Sequence, residues 1–174
     1  MNIYLACSLT HVPRFLFDSY VNSIHCLALA LESENCGTVK YALVNSDPQL
    51  AEKPLEDKAR LCYLWDRKMV ENADLIVSEA SFPSTGLGIE MQIAEAKDIP
   101  IILCFRDYGK NKADPIEYKN PDQKKHCLQI GEGYISLMAL GMPNIFRVIK
   151  YQDTKDCILK VISTVQLFRA NDEL

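Results

Sequence analysis

Apolar residues recur along this chain in two alternating rhythms. A short continuous apolar run, Asn2 to Cys7, predicts a strand at the start. Phe15 to Leu31 then carries Phe17, Tyr20, Val21, Ile24, Leu27, Ala28 and Leu31 at helical spacing. Gly37 stops that helix, and Val39 to Val44 predicts a second strand. Pro48 to Pro54 reads as a linker, and Leu55 to Asn72 as a helix with Pro54 and Glu56-Asp57 near its start. Ala73 to Ala80 predicts a third strand, followed by the turn Phe82 to Gly86 and a helix beginning near Gly88. Pro100 opens a fourth strand, Ile101 to Phe105. Ile145 to Tyr151 is a fifth, and Thr154 to Phe168 closes as an amphipathic helix.

Strands alternating with helices mean βαβ units. The expected fold is α/β: a Rossmann-like five-stranded parallel sheet with helices on both faces, in one domain over residues 1–174. Residues 106–133 break the rhythm, being polar, lysine-rich and without apolar periodicity. A connection that long is a lid over a site or a mobile surface insertion. A helical turn is expected within it, around Asp122 to Leu128.

Composition narrows the function classes. A chain of 174 residues buries roughly 70% of its unfolded surface, enough for one real core. The net charge of −4 argues against a general nucleic-acid binder and leaves room for a small nucleotide. Seven cysteines stand at 7, 26, 36, 62, 104, 127 and 157, no two closer than ten positions. That spacing excludes Cys-x-x-Cys zinc sites and redox dithiols, and reads as reduced thiols. Neither a metal nor a cofactor is expected. No apolar stretch has the length of a membrane span, and the start lacks a secretory signal. The final Asn-Asp-Glu-Leu faintly resembles a retention tag, but without an entry signal the expected location is cytoplasmic.

In a parallel α/β sheet, ligands sit beyond the carboxyl ends of the strands. Three segments meet that condition: Ser8 to Arg14, Ser81 to Glu90, and the loop after Phe105. Within the second, Gly86 and Gly88 allow close approach of backbone to ligand. Ser84 and Thr85 add hydroxyls near free helix N–H groups, a natural anion cradle. Glu90 has Ile93 and Ala94 at i+3 and i+4, so its carboxylate turns inward, in the first turn, where the helix dipole favours ionisation. It is either a nucleophile or an acid placed only for the dipole. Asp66 lies in an apolar stripe with Cys62, Tyr63, Met69 and Val70, which is costly unless it is functional or held by a backbone N–H or a lysine. Two inward carboxylates resemble the retaining-glycosidase arrangement. The three histidines, 11, 25 and 126, form no triad, and His25 reads as a core-edge residue.

These motifs resemble the nucleoside 2-deoxyribosyltransferase superfamily, and within it the 2'-deoxynucleoside 5'-phosphate N-hydrolases. The resemblance runs from Ile3-Tyr4-Leu5-Ala6-Cys7-Ser8 through Asp66 and Asn72 to Glu79. It continues over Pro83-Ser84-Thr85-Gly86-Leu87-Gly88-Ile89-Glu90 to Lys97-Asp98-Ile99-Pro100-Ile101-Ile102-Leu103. The Ser-x-Gly-x-Gly-x-Glu block, with an aspartate twenty-four residues before its glutamate, is its most specific part. The resemblance implies that Glu90 forms a glycosyl-enzyme ester, that Asp66 and Tyr4 hold the sugar and the nucleophile, and that Ser84 contacts a 5'-phosphate. It further implies that Ser136 reaches the neighbouring subunit's site, hence a homodimer.

At Ser84 the transferases carry an aspartate suited to a neutral 5'-hydroxyl; a serine there favours a phosphate. The first loop, Ser8-Leu9-Thr10-His11-Val12-Pro13-Arg14, departs from the hydrolases. Thr10 stands at the place of a phosphate-binding arginine, leaving Ser8, His11 and Arg14 as the polar groups there. The insertion from Lys110 to Gly131 is also longer than the resemblance implies. The expected activity is hydrolysis of the N-glycosidic bond of a (deoxy)nucleoside 5'-monophosphate. The alternatives are transfer of the sugar between bases, action on ribonucleotides as a phosphoribohydrolase, and nucleotide sensing without turnover. Retention of both Asp66 and Glu90 argues against the last.

Overall fold

The computed structural model describes residues 1–172. Strand β1 (Asn2–Cys7) leads into helix α1 (Arg14–Ser33) and strand β2 (Thr38–Lys40). Two single turns, α2 (Ala42–Asn45) and α3 (Asp47–Leu50), precede α4 (Leu55–Glu71), β3 (Leu75–Glu79), α5 (Thr85–Glu95) and β4 (Ile101–Arg106). A hairpin of β5 (Glu117–Lys119) and β6 (Lys125–Cys127), then α6 (Leu137–Leu140), separate β4 from β7 (Ile145–Tyr151) and α7 (Thr154–Asp172).

The main sheet is parallel throughout, in the order β2-β1-β3-β4-β7. From β1 the chain moves outward to β2, then returns to place β3 on the other side of β1. Helices α1 and α7 cover the face carrying Ile3, Leu5, Leu75 and Val77. Helices α4 and α5 cover the face carrying Tyr4, Ala6 and Ile76. Because the winding reverses between β1 and β3, the loops beyond their carboxyl ends part there and open a crevice. Strands buried on both faces are near-continuously apolar, as Ile3 to Ala6 and Ile101 to Phe105 are. β3 is the exception, because it is wholly buried and ends in Ser78-Glu79.

Four local expectations are corrected. The second strand stops at Lys40: Tyr41 N–H donates to Asn45 Oδ1 at 2.9 Å, and Ala42-Leu43-Val44 closes as a helical turn instead of continuing the sheet. Asp47 to Leu50 forms a helical turn within the expected linker. Helix α5 starts at Thr85, three residues before Gly88, because Ser84 caps it through a Leu87 N–H to Oγ bond of 3.2 Å. Around Asp122 to Leu128 the chain forms a hairpin turn and β6, not a helical turn. Asp122 Oδ1 takes the Lys124 N–H at 3.1 Å, and Gln123 sits at φ 63. Gly37, expected to end α1, is required for another reason: a Cβ there would lie 2.3 Å from the Met1 carbonyl oxygen, where β2 joins the sheet.

No helix among the described residues is long and apolar enough to cross a membrane. Of the terminal Asn-Asp-Glu-Leu, Glu173 and Leu174 lie outside the described residues.

Candidate active site

Strand alternation turns Tyr4 toward the α4/α5 layer, where it is almost wholly buried. Its hydroxyl donates to Glu90 Oε1 at 2.7 Å. Glu90 is the sixth residue of α5, so it stands in the second turn and not the first. The helix dipole fades within the first turn, so it does not hold this carboxyl low. Burial instead drives the Glu90 pKa up to about 7; the Tyr4 hydrogen bond opposes the rise and the nearby Asp66 adds to it. Tyr4 is pushed well above the ordinary phenol range by burial, then by Glu90 and Asp66, so it remains a donor.

Asp66 comes from α4 and is half-buried. The Cys62 thiol, one helical turn earlier, donates to its Oδ2 at 3.3 Å. Burial, and then Asp66 itself, raises Cys62 to about 11, which keeps the sulfur protonated. Among the described residues no backbone N–H or lysine holds Asp66, and its Oδ1 is buried without a hydrogen-bond partner. A buried acceptor left open has to be accounted for. Its carboxyl is near enough for its charge to raise both Tyr4 and Glu90.

Ser84, Thr85, Gly86 and Gly88 form the mouth of α5. The Thr85 and Gly86 N–H groups precede the first intrahelical acceptor, as helix geometry dictates. Ser136 caps α6, accepting from Met138 N–H at 3.2 Å, and lines a cleft of about 670 Å³ together with Ser84 and Thr85. Ser8 is fully buried, and its hydroxyl is committed to the Phe82 carbonyl at 2.6 Å. Arg14 opens α1, exposed, with its guanidinium 5.7 Å from the Phe17 ring centre, and lines neither of the two large clefts. The structure thus gathers Tyr4, Asp66 and Glu90, sets the Ser84–Gly88 segment beside them, and leaves Arg14 apart.

The large clefts are not lined by Tyr4, Asp66 or Glu90. The Tyr4, Asp66 and Glu90 group, and not volume, is therefore the candidate reacting centre, since desolvated acids cluster at functional sites. A smaller hollow of about 360 Å³ is lined by Asp47, Lys58 and Cys62, the residue whose thiol donates to Asp66.

Sequence reasoning missed Glu79. It is 1% exposed, on the opposite face of the sheet from Glu90. It accepts from Tyr20 OH, Ser81 Oγ, Ser81 N–H at 3.3 Å and Tyr151 OH at 2.9 Å. An acid inside a wholly apolar strand was the signal that could have found it. Cys62 was visible only as a stripe neighbour of Asp66. Among the described residues no group of three His, Cys, Asp or Glu side chains is placed to hold a metal ion.

No family model matches the chain. It is similar to two curated proteins, each named "Putative 2'-deoxynucleoside 5'-phosphate N-hydrolase 1". The one from Syntrophotalea carbinolica is 36% identical over 59 residues, 34% of this chain and 42% of that protein. The one from Methanosarcina mazei is 22% identical over 149 residues, 86% of this chain and 70% of that protein. The chain's match thus spans less than half the length of the first relative. Among solved structures, the fold is similar to a CMP N-glycosidase of Clostridium botulinum, with TM-score 0.55 and 18% identity over 92% of this chain and 98% of that one. It is also similar to a 2-deoxyribosyltransferase of Bacillus psychrosaccharolyticus, with TM-score 0.56 and 16% identity over 95% and 96%. The two sequence relatives agree with the resemblance, and the solved structures share the α/β fold. Relatives and neighbours alike bear the names of N-hydrolases, N-glycosidases and deoxyribosyltransferases.

Proposed function

We propose that this chain hydrolyses the N-glycosidic bond of a (deoxy)nucleoside 5'-monophosphate, with Glu90 as nucleophile. The observation that carries the reading is the Glu90 carboxyl itself. One oxygen is fixed at 2.7 Å by Tyr4, no other hydrogen bond is made to it among the described residues, and its pKa of about 7 leaves it substantially ionised at neutral pH yet poorly solvated. A Glu90 oxygen attacks the anomeric carbon while the carbon–nitrogen electron pair departs with the base, which takes up a proton. Water then attacks the same carbon, the ester bond breaks, its electron pair returns to Glu90, and the proton of the water passes to solvent. Tyr4 orients the attacking carboxylate, and the open Asp66 Oδ1 accepts a sugar hydroxyl. Ser84, with the Thr85 and Gly86 N–H groups, receives an anionic oxygen at the helix start.

The same reading includes a homodimer in which Ser136 completes the partner's site. Leu137 and Met138 beside it are exposed, Met138 by 85%, a pair of apolar side chains that a second copy would cover. It also includes a cytoplasmic location, supported by the seven unpaired cysteines.

Incubation with a panel of ribo- and deoxyribonucleoside 5'-monophosphates and the matching nucleosides tests the assignment through released base. Base release from monophosphates in preference to nucleosides is expected. No release from any of them overturns enzymatic cleavage, and equal or better turnover of nucleosides overturns the hydrolase branch. A second reading, transfer to another base, is favoured by the transferase neighbour's fold. It predicts a new nucleoside when free base is added.

A further inference from the structure

A second cleft of about 680 Å³ opens between the loop after β1, the turn before α5 and the two ends of the 106–133 segment. The chain has 23 acidic residues against 19 lysines and arginines, yet no aspartate or glutamate lines this cleft. The nitrogen-bearing ionisable residues that do are His11, Lys110 and Lys112. A concave surface with charge of one sign concentrates field lines and draws a counter-ion.

The lysines are not on a loose loop. Asn111 stands between them and is bolted down three ways. Its Nδ2 donates to Ser81 O and to Arg106 O, each at 2.8 Å, and its Oδ1 accepts from Tyr108 N–H at 2.8 Å. Next in the chain, Ala113 N–H donates to Gly133 O at 2.8 Å. Gly133 has φ +85, and a Cβ there would stand 2.9 Å from Ala113 O, so only glycine lets the two ends of the segment meet this closely. Ser81, the other end of the bolt, is held by buried Glu79. Lys110 and Lys112 therefore flank a fixed residue.

Neither lysine is in an ion pair among the described residues. The Lys112 ammonium lies 5.6 Å from the Tyr134 ring centre and helps lower Asp107, behind stronger hydrogen bonds from Tyr134 and Gly109. This cleft shares Phe82, Pro83, Tyr134, Ile135, Ser136 and Met138 with the one reached by Ser84. It is continuous with the cleft at the mouth of α5.

We propose that the phosphoryl group received by Ser84 at the mouth of α5 also faces this adjoining cleft, with Lys110 and Lys112 supplying the positive charge that the loop after β1, where Thr10 stands, does not. The proposal rests on the monophosphate reading above and deepens it. The long insertion is then a specificity element, since its base carries the phosphate contacts.

The test compares Lys110→Gln/Lys112→Gln with Lys119→Gln/Lys124→Gln, which removes the same charge from the hairpin outside the cleft. The ratio of kcat/KM for a monophosphate to that for its nucleoside should fall roughly ten- to a hundred-fold in the first pair, the range of charged hydrogen bonds. It should hold in the second pair. Lys110→Arg/Lys112→Arg should retain most of the ratio, and Asn111→Ala, which frees both lysines, should lower it. A ratio unmoved in the first double variant, with its thermal midpoint intact, overturns the proposal while leaving the hydrolase reading standing. Calorimetric titration with deoxyribose 5-phosphate separates the two claims. If no nucleotide is cleaved but the sugar phosphate binds the wild type and not the first double variant, the cleft stands without the reaction. If it binds both equally, the cleft assignment fails.

Discussion

Glu79 and Glu90 are eleven residues apart, on opposite faces of one sheet, and burial raises the pKa of both. Their surroundings divide them. Glu79 is saturated: three hydroxyls and one N–H converge on its two oxygens and tie β3 to α1, β7 and the turn before α5. Among the described residues Glu90 has one hydrogen-bond partner, Tyr4, and feels the charge of Asp66, whose Oδ1 has none. A buried acid held by four donors is an architectural joint, and under the proposed function one held by a single donor is a reagent. Burial alone does not tell them apart, but the donor count does.

The sharpest way to break that contrast is to remove each acid in turn. Glu90→Gln should cut base release by about a thousandfold or more while shifting the thermal midpoint little, because it keeps the shape and loses only the attacking anion. Activity above a few per cent of wild type would place the nucleophile elsewhere. Glu79→Ala should do the reverse. It leaves the hydroxyl protons of Tyr20, Tyr151 and Ser81 without an acceptor, and at ~1–3 kcal/mol for a buried orphan the denaturant midpoint should fall severely. Glu79→Gln, which still accepts, should recover much of that loss.

Acidity offers a third and milder lever. Glu90 must be ionised to attack, so kcat/KM should fall about tenfold per pH unit below about 7. Stability should move the other way. A raised carboxyl pKa means that the folded state binds more protons than the unfolded one between the ordinary glutamate value and about 7. The associated stability is full below the ordinary value and is lost as pH rises through about 7. Denaturant midpoints read from pH 4 to pH 8 should therefore decline with rising pH, less steeply in Glu90→Gln. Activity without an acidic limb near 7 would contradict the desolvated environment assigned to Glu90. The smallest effect should come from Cys62. Cys62→Ala removes one thiol donor from Asp66, for an expected two- to ten-fold loss in kcat/KM at ~0.5–1.5 kcal/mol, and Cys62→Ser should restore it.

Much of this arrangement was legible in the sequence, for reasons that differ by residue. β1 and β4 fall where the apolar runs put them, because strands buried on both faces leave a continuous signature. The inward turn of Asp66 and Glu90 followed from helical periodicity, which local sequence carries. The ionisation of Glu90 did not follow. It depends on how many atoms of β1 and α4 crowd the carboxyl and on where Ser84 starts the helix, and both are settled by tertiary packing. The hairpin escaped for the opposite reason: Glu117 to Cys127 is exposed, so no apolar rhythm marks its strands. Asn111 gave no sign of its three bonds, because all three partners are backbone groups and one of them, Ser81, is brought near only by the fold.

The closed base of that segment also bears on how the chain tolerates change. Ala113 and Gly133 already touch, so everything between them is a detour whose removal breaks none of the central sheet. Loop closure costs only about 0.6 kcal/mol for each doubling of length, so the excursion can lengthen, shorten or accept a foreign insert at its tip with little thermodynamic consequence. A graft there, such as a fluorophore peptide or an affinity tag, would ride on the outside of the molecule while Lys110, Asn111 and Lys112 stay where they are. For the same reason, this stretch is where sequences sharing this architecture can diverge most freely in length.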